Sequence, residues 1–291
     1  MLSRDAPNKP PIWIVSLAIA LASLLASAYF WHRLEAAHAK ELSEAHARLE
    51  KRAEVSTVAL EQYVEMVILG IDNTLRQLRS AYLANHGQFD NIAKETLQNL
   101  PPGMVQFVTI FGADGDLLYS SNDTAERINF KDREHFSAHV ESSDDQLFIS
   151  QPIVGRIAGV PLIQMTRPIR GKGGELIGVI GLPLRPDFVA RQLDGLHIEK
   201  EDLLAIVRLD GSFVSRSRNL DEALKMKVPA DRPYLSAKPG ERGLFHSVST
   251  VDKKQLAFSW ARMERWPLAV AVAVDEQPQI SALQRSHAGE R

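Results

Sequence analysis

The longest feature in the pattern of apolar and polar positions is an uncharged run from Ile12 to Trp31, IWIVSLAIALASLLASAYFW. As an α-helix, its twenty residues cover about 30 Å, the thickness of a bilayer's hydrocarbon core. Trp13 lies near one end, with Tyr29 and Trp31 near the other, as in interfacial aromatic belts. Arg4 and Lys9 outweigh Asp5 in the preceding tail, residues 1–11, so the positive-inside rule places that tail in the cytoplasm. Everything after residue 31 is then expected outside it. Ala26-Ser27-Ala28 also fits a signal-peptide cleavage site. The run exceeds the usual signal length and its helical pattern continues through the site, which favours an uncleaved single-pass anchor at 12–31.

A helical pattern persists beyond the span. From Arg33 to about Asn85 there is no proline and one glycine, Gly70, in a background of Glu, Ala, Arg, Leu and Lys. Leu60, Val64, Val67, Ile71, Leu75 and Leu78 recur at three- and four-residue steps, and Leu42, Leu49 and Tyr63 extend the stripe upstream. The spacing predicts a stalk, with its connection, over residues 33–100. The stripe is expected either to pair with a second copy, giving a homodimer, or to pack on the chain's own globular part.

After Pro101-Pro102 the period changes to two. Strands are predicted at Val105–Phe111 and Leu117–Ser120 around an Asp114-Gly115 turn, and at Gln146–Pro152, Val160–Ile169 and Leu176–Pro183. The order then recurs: Leu204–Leu209, an Asp210-Gly211 turn, Ser212–Ser217, Gln255–Met263 and Pro267–Val274. The two Asp-Gly turns are offset by 96, and Leu147-Phe148 and Leu244-Phe245 by 97. An α+β chain follows, with two similar lobes, each an antiparallel sheet with flanking helices. They occupy residues 101–186 and 201–277, joined by a helix within 187–200 (Asp187–Leu193 its clearest part) and followed by a tail, 278–291. A short helix is expected at Asn219–Lys227.

Composition narrows the function classes. Over 291 residues the hydrophobic fraction is 45% and the charged fraction 24%, which fits a folded chain with one span rather than a disordered or many-spanning one. Lys plus Arg is 34 against Asp plus Glu at 36, a net charge of −2, so no nucleic-acid partner is expected. The absence of cysteine excludes disulfides, a Cys nucleophile and Cys-based metal sites. Gly171-Lys172-Gly173-Gly174 lacks phosphate-loop spacing and reads as a hairpin turn, and Asp114-Gly115-Asp116 lacks the remaining ligands of a calcium loop. His32, His38 and His46 are not at metal-pair spacing. With no Gly-x-Ser-x-Gly or His-Glu-x-x-His, no catalytic residue, metal site or cofactor is called for, and an enzyme such as a periplasmic hydrolase is the weakest reading.

Four motifs carry a family resemblance: Lys131-Asp132-Arg133-Glu134-His135-Phe136, Ile149-Ser150-Gln151-Pro152-Ile153-Val154-Gly155-Arg156, Gln164-Met165-Thr166-Arg167-Pro168-Ile169 and Gly178-Val179-Ile180-Gly181. With the anchor and long helix, the chain over residues 12–280 resembles the double Cache (PDC-type, PAS-like) sensor domain of bacterial transmembrane receptors. The resemblance implies a bacterial inner-membrane protein with residues after 31 in the periplasm. It implies a ligand pocket in the membrane-distal lobe (101–186), bordered by the Asp-Arg-x-x-Phe segment. It also implies helix movement relayed through the long helix and a second transmembrane helix to a cytoplasmic kinase, diguanylate cyclase or chemoreceptor output module, the chain being either part of a longer receptor that carries these or a stand-alone anchored sensor. The family often has Tyr where this chain has His135, so a ring-hydroxyl contact is not expected there.

The expected ligand is a small anionic metabolite, a carboxylate or amino acid. Arg133 and Arg156 are the candidates to grasp it, because a guanidinium presents a planar fork matched to a carboxylate. His135 is a candidate hydrogen-bond partner or pH-sensing group. Tyr119 and Gln164 are candidate lining residues, though strand alternation alone leaves their direction open. Arg167 is expected in a structural ion pair. The rival expectation on the same fold is a module that binds no ligand, its pocket filled by side chains and its helix recruiting a partner.

Overall fold

The computed structural model describes residues 11–122, 127–195 and 202–289. The chain divides into two compact units, Met1–Leu49 with Glu276–Arg291, and Glu50–Asp275. Helix α1 (Ile12–Ala84) begins in the first. Its side chains from Ile12 to Arg33 are all exposed, and this part is long and apolar enough to cross a membrane. The same unit holds α7 (Gln277–Gly289), a helix where a tail was expected. The charges that orient the anchor, Arg4, Asp5 and Lys9, lie outside the described residues.

The second unit contains the rest of α1, then α2 (Phe89–Asn99) and two five-stranded antiparallel sheets. Lobe 1 carries β1 (Thr109–Gly112), β2 (Leu117–Ser120), β3 (Phe148–Val154), β4 (Pro161–Arg170) and β5 (Leu176–Leu184), in the order β2-β1-β5-β4-β3. Helix α3 (Glu134–Glu141) covers this sheet. After α4 (Pro186–Asp194), lobe 2 carries β6 (Leu203–Arg208), β7 (Phe213–Arg216), β8 (Arg242–Val248), β9 (Gln255–Arg262) and β10 (Leu268–Val274), in the corresponding order β7-β6-β10-β9-β8. Helices α5 (Leu220–Ala223) and α6 (Pro233–Ser236) flank it.

The apolar stripe of α1 packs on the chain's own sheets. Leu60, Val64, Ile68, Ile71, Leu75 and Leu78 share one core with Ile110, Met165 and Ile180 of sheet 1 and with Ile206, Val270 and Val272 of sheet 2. Alternation then sends the intervening strand residues to each sheet's outer face, where α3 and α6 lie. Phe111, Phe130, Phe136 and Val179 cluster beneath α3, and Ala205, Val207, Tyr234 and Trp260 beneath α6.

Several elements differ from the sequence expectation. The helical region 33–100 is broken after Ala84, where Asn85 accepts a hydrogen bond from Gly87 N on its side-chain oxygen. The first strand starts at Thr109 because Val105 makes only an isolated bridge to Leu184. The helix expected at 219–227 is the single turn α5, entered from Asn219 at φ 50°. The joining helix α4 ends at Asp194, and residues 196–201 of the expected 187–200 connection lie outside the described residues. Both Asp-Gly turns are present, with Gly115 and Gly211 at φ 87° and 85°, values that a Cβ disfavours.

Candidate ligand-binding site

Sheet 1 is unusual on its α3 face. Thr109, Ser150, Gln164 and Thr166 are all buried there, opposite the apolar α1 face. Directly paired strand residues share a face, so Thr109↔Gly181 and Thr166↔Gly181 place both threonines beside one glycine. A Cβ at Gly181 would stand 2.8 Å from Thr109 Oγ1, so this close approach requires glycine.

From α3, His135 and His139 descend onto this polar strip, 1% and 4% exposed. Thr166 Oγ1 donates to the His135 carbonyl at 3.0 Å. Its single proton is thereby used, so in the 2.9 Å contact His139 Nε2 is the donor and Thr166 Oγ1 the acceptor. The Gln164 backbone N–H donates to Ser150 Oγ at 2.8 Å, and Ser150 Oγ donates to the Gln151 carbonyl. His135 differs: both its ring nitrogens are buried without a hydrogen-bond partner. Its ring centroid lies 5.9 Å from those of Phe111 and Phe130. Burial, reinforced by the nearby Arg133 charge, pushes its pKa down to about 4, and burial does the same to His139.

Arg133 stands at the N-cap of α3. Its Nε is buried and unpartnered, and its side chain makes no hydrogen bond or ion pair with any described residue. Arg156, by contrast, is engaged. It holds Asp132 in a two-pronged pair at 2.9 and 2.7 Å, donates to the Asn129 carbonyl, and lies over the Phe130 ring. The bond from Arg156 also holds the Asp132 carboxyl below the usual range.

Of the five sequence candidates, Arg133, His135, Arg156 and Gln164 therefore border one face. Tyr119 does not join them. The pairing slips between Ile110↔Tyr119 and Phe111↔Leu117, a bulge that turns Tyr119 onto the α1 face. There its hydroxyl bonds Asp90 at 3.0 Å and its ring meets Phe89 edge-on. Arg167 likewise faces α1. It pairs with Asp72 and with Asp145 at 2.8 Å, and Arg79 grips the same Asp145 at 2.6 Å. These contacts, the Arg79 hydrogen bond foremost, hold the Asp145 pKa at about 2.

Sequence reading missed His139, Thr166, Thr109 and Ser150. Gln164 and Thr166 carried a signal, since they alternate with the apolar Ile163 and Met165 along β4.

No protein-family model matches the sequence, and no curated protein matches it. Structural comparison is decisive for the fold. The extracellular domain of the putative histidine kinase rpHK1S-Z16 superposes with TM-score 0.65 at 19% identity, covering 82% of this chain and 98% of that one. The chain shares the fold of that extracellular domain. The ligand-binding domain of the Pseudomonas fluorescens chemoreceptor CtaA, in complex with L-isoleucine, matches at TM-score 0.57 and 16% identity, covering 82% and 96% of the two chains. That of the Pseudomonas aeruginosa PAO1 chemoreceptor PctB, in complex with L-Arg, gives 0.57 and 14%, covering 80% and 96%. The first is thus the extracellular part of a putative kinase, and the other two are the ligand-binding parts of chemoreceptors.

Proposed function

We propose that this chain is the signal-input part of a single-pass receptor of a bacterial inner membrane, sensing a small carboxylate or amino acid with lobe 1 in the periplasm. The observation that carries this reading is the unspent bonding capacity at the start of α3. Each buried polar group left unpaired costs about 1–3 kcal/mol, a cost that a ligand offering both acceptors and donors would offset. A carboxylate would accept from Arg133 Nε and from one nitrogen of neutral His135, and an ammonium or hydroxyl would donate to the other. The chemoreceptor domains of the same fold, with their L-isoleucine and L-Arg, make amino acids the first probes. Relay would run through α1, alone or in a homodimer, to an output module carried by a longer form. A ligand shifts that relay only as far as it prefers one arrangement over another.

One observation favours the rival reading of a relay without a ligand. Phe111, Phe130 and Phe136 close much of the α3 face, and Arg156 is already held by Asp132. Thermal unfolding of the full chain in detergent, against amino acids and small carboxylates, separates the two. A ligand at about 100 times its Kd adds roughly 2.7 kcal/mol, and Arg133→Ala is expected to abolish the shift while leaving the chain folded. No shift across the panel would support the rival.

A further inference from the structure

A second feature is lined by neither Arg133 nor His135. A cleft of about 460 Å³ opens beside α1, between the end of α3 with the start of β3 in lobe 1 and the β9–β10 turn with the end of β6 in lobe 2. Its volume is that of a small-molecule site. Four arginines reach it: Arg76, Arg167, Arg208 and Arg265. Two are spent. Arg167 is held by Asp72 and Asp145, and Arg208 donates to Glu134 and to the Ile149 carbonyl. The carboxylates of Asp72 and Asp145 are correspondingly occupied, each by two arginines.

The other two are not spent. Arg76, on α1, uses only Nε, on Asp72 at 3.2 Å, so its terminal fork bonds no described residue. Arg265, on the lobe 2 turn, stands 4.0 Å from Glu65, beyond hydrogen-bond length, with its guanidinium over the Trp266 ring. Both side chains are about half exposed. Trp266 also lines the cleft, and its Nε1 is buried without a partner.

We propose that this cleft is a second binding site, taking a small dicarboxylate whose two ends are received by the guanidinium forks of Arg76 and Arg265. A fork binds a carboxylate through two parallel bonds, so two unspent forks carried by different elements match a ligand with two carboxylates. A dicarboxylate held so would tie α1 and lobe 1 to lobe 2, beside the existing Glu134–Arg208 pair.

The test is a titration of the full chain in detergent, labelled with ¹⁵N at the indoles, with succinate, acetate and inorganic phosphate in parallel. There are four tryptophans, and Trp266→Phe identifies the reporting signal. Succinate is expected to shift the Trp266 indole N–H saturably, more tightly than acetate or phosphate. Arg76→Gln or Arg265→Gln should weaken this at least about tenfold, the loss expected for a charge-assisted bond. Arg76→Lys keeps the charge without the fork and is expected to fall between. Arg133→Ala should leave the shift unchanged, which separates this cleft from the proposed site at Arg133 and His135. The Trp260 signal reports that each variant is folded. Three results would overturn the proposal: no shift, equal shifts for all three anions untouched by the arginine variants, or a shift lost with Arg133→Ala and kept with Arg76→Gln.

Discussion

The two lobes pair their strands in one order and nearly one register, yet present opposite chemistry on their outer faces. Where lobe 1 sets Thr109 and Thr166 beside Gly181, lobe 2 sets Ala205 and Trp260 beside Ala271. Phe148 faces Thr166 in one, and Gly243 faces Trp260 in the other, so the large ring has changed strands. A Cβ at Gly243 would stand 2.8 Å from that ring. The edge pair Phe245↔Phe258 stacks at 5.0 Å where lobe 1 has Ser150 and Gln164. Each outer helix starts after an N-cap arginine, Arg133 or Arg232, with a buried ring two residues on, His135 or Tyr234. Arg232 is bonded to Ser247 and Val248 and lies over Phe245, whereas Arg133 bonds no described residue. One strand order thus carries an apolar core on the outer face of lobe 2 and buried polar groups on that of lobe 1. On the outer faces, a site is therefore to be sought in lobe 1, not in both.

The inner faces differ too, and the largest predicted effect tests them. Arg167 pairs across the sheet with Ile180, while the corresponding partner of Val270 is Ala261. Asp72→Ala strands a buried guanidinium and is expected to cost about 3–5 kcal/mol in chemical denaturation. A cost below about 1 kcal/mol would mean that the ion cluster of lobe 1 is no more structural than the alanine of lobe 2.

Next in size is a pH effect confined to lobe 1. His135 and His139 have folded pKa values of about 4, below the ordinary 6.5, so between these values the unfolded chain binds more protons. Stability is then fully present above pH 6.5 and falls as pH drops towards 4, by up to about 3 kcal/mol for each histidine. The carboxylates held at about 2, Asp145 and Asp187, lose their contribution only below about pH 4, outside this window. Denaturation at pH 7 and pH 5 should show the loss, and His135→Phe should flatten it. An unchanged slope in that variant would remove His135 from the account. Tyr234, raised further by burial, takes no part in this range.

The smallest effect compares the turns. Gly115→Ala and Gly211→Ala each force a left-handed alanine, at about 1–2 kcal/mol. A Cβ at Gly115 would stand 2.8 Å from the Lys131 backbone nitrogen, against 3.2 Å from the Val228 carbonyl oxygen at Gly211. The lobe 1 variant should therefore unfold at the lower temperature of the two, and the reverse order would show that the turns relax independently of those contacts.

Much of this architecture is legible in the residue pattern alone. The apolar run at 12–31, the α1 stripe and the recurring Asp-Gly turns are local periodicities, and periodicity is what secondary structure imposes on a sequence. Weaker signals were lost. Arg242–Val248 is a strand without a clean alternation, and the four residues of α6 are too few to show a helical period. The site was half legible. Arg133 and His135 stand in a motif that resembles the family, but nothing in the order of residues tells that Arg156 is occupied by Asp132 or Arg133 by none of the described residues.

What the sequence determined by itself was the list of elements and their repetition, because hydrogen-bonded helices and strands respond to neighbours a few positions away. What only the tertiary structure decided was direction and partnership. A single bulge between Ile110 and Phe111 sent Tyr119 to the α1 face, and packing chose the chain's own sheets as the cover for the α1 stripe. Both outcomes depend on contacts between residues far apart in the chain, where burial and the pairing of buried charge, rather than local pattern, set the free energy.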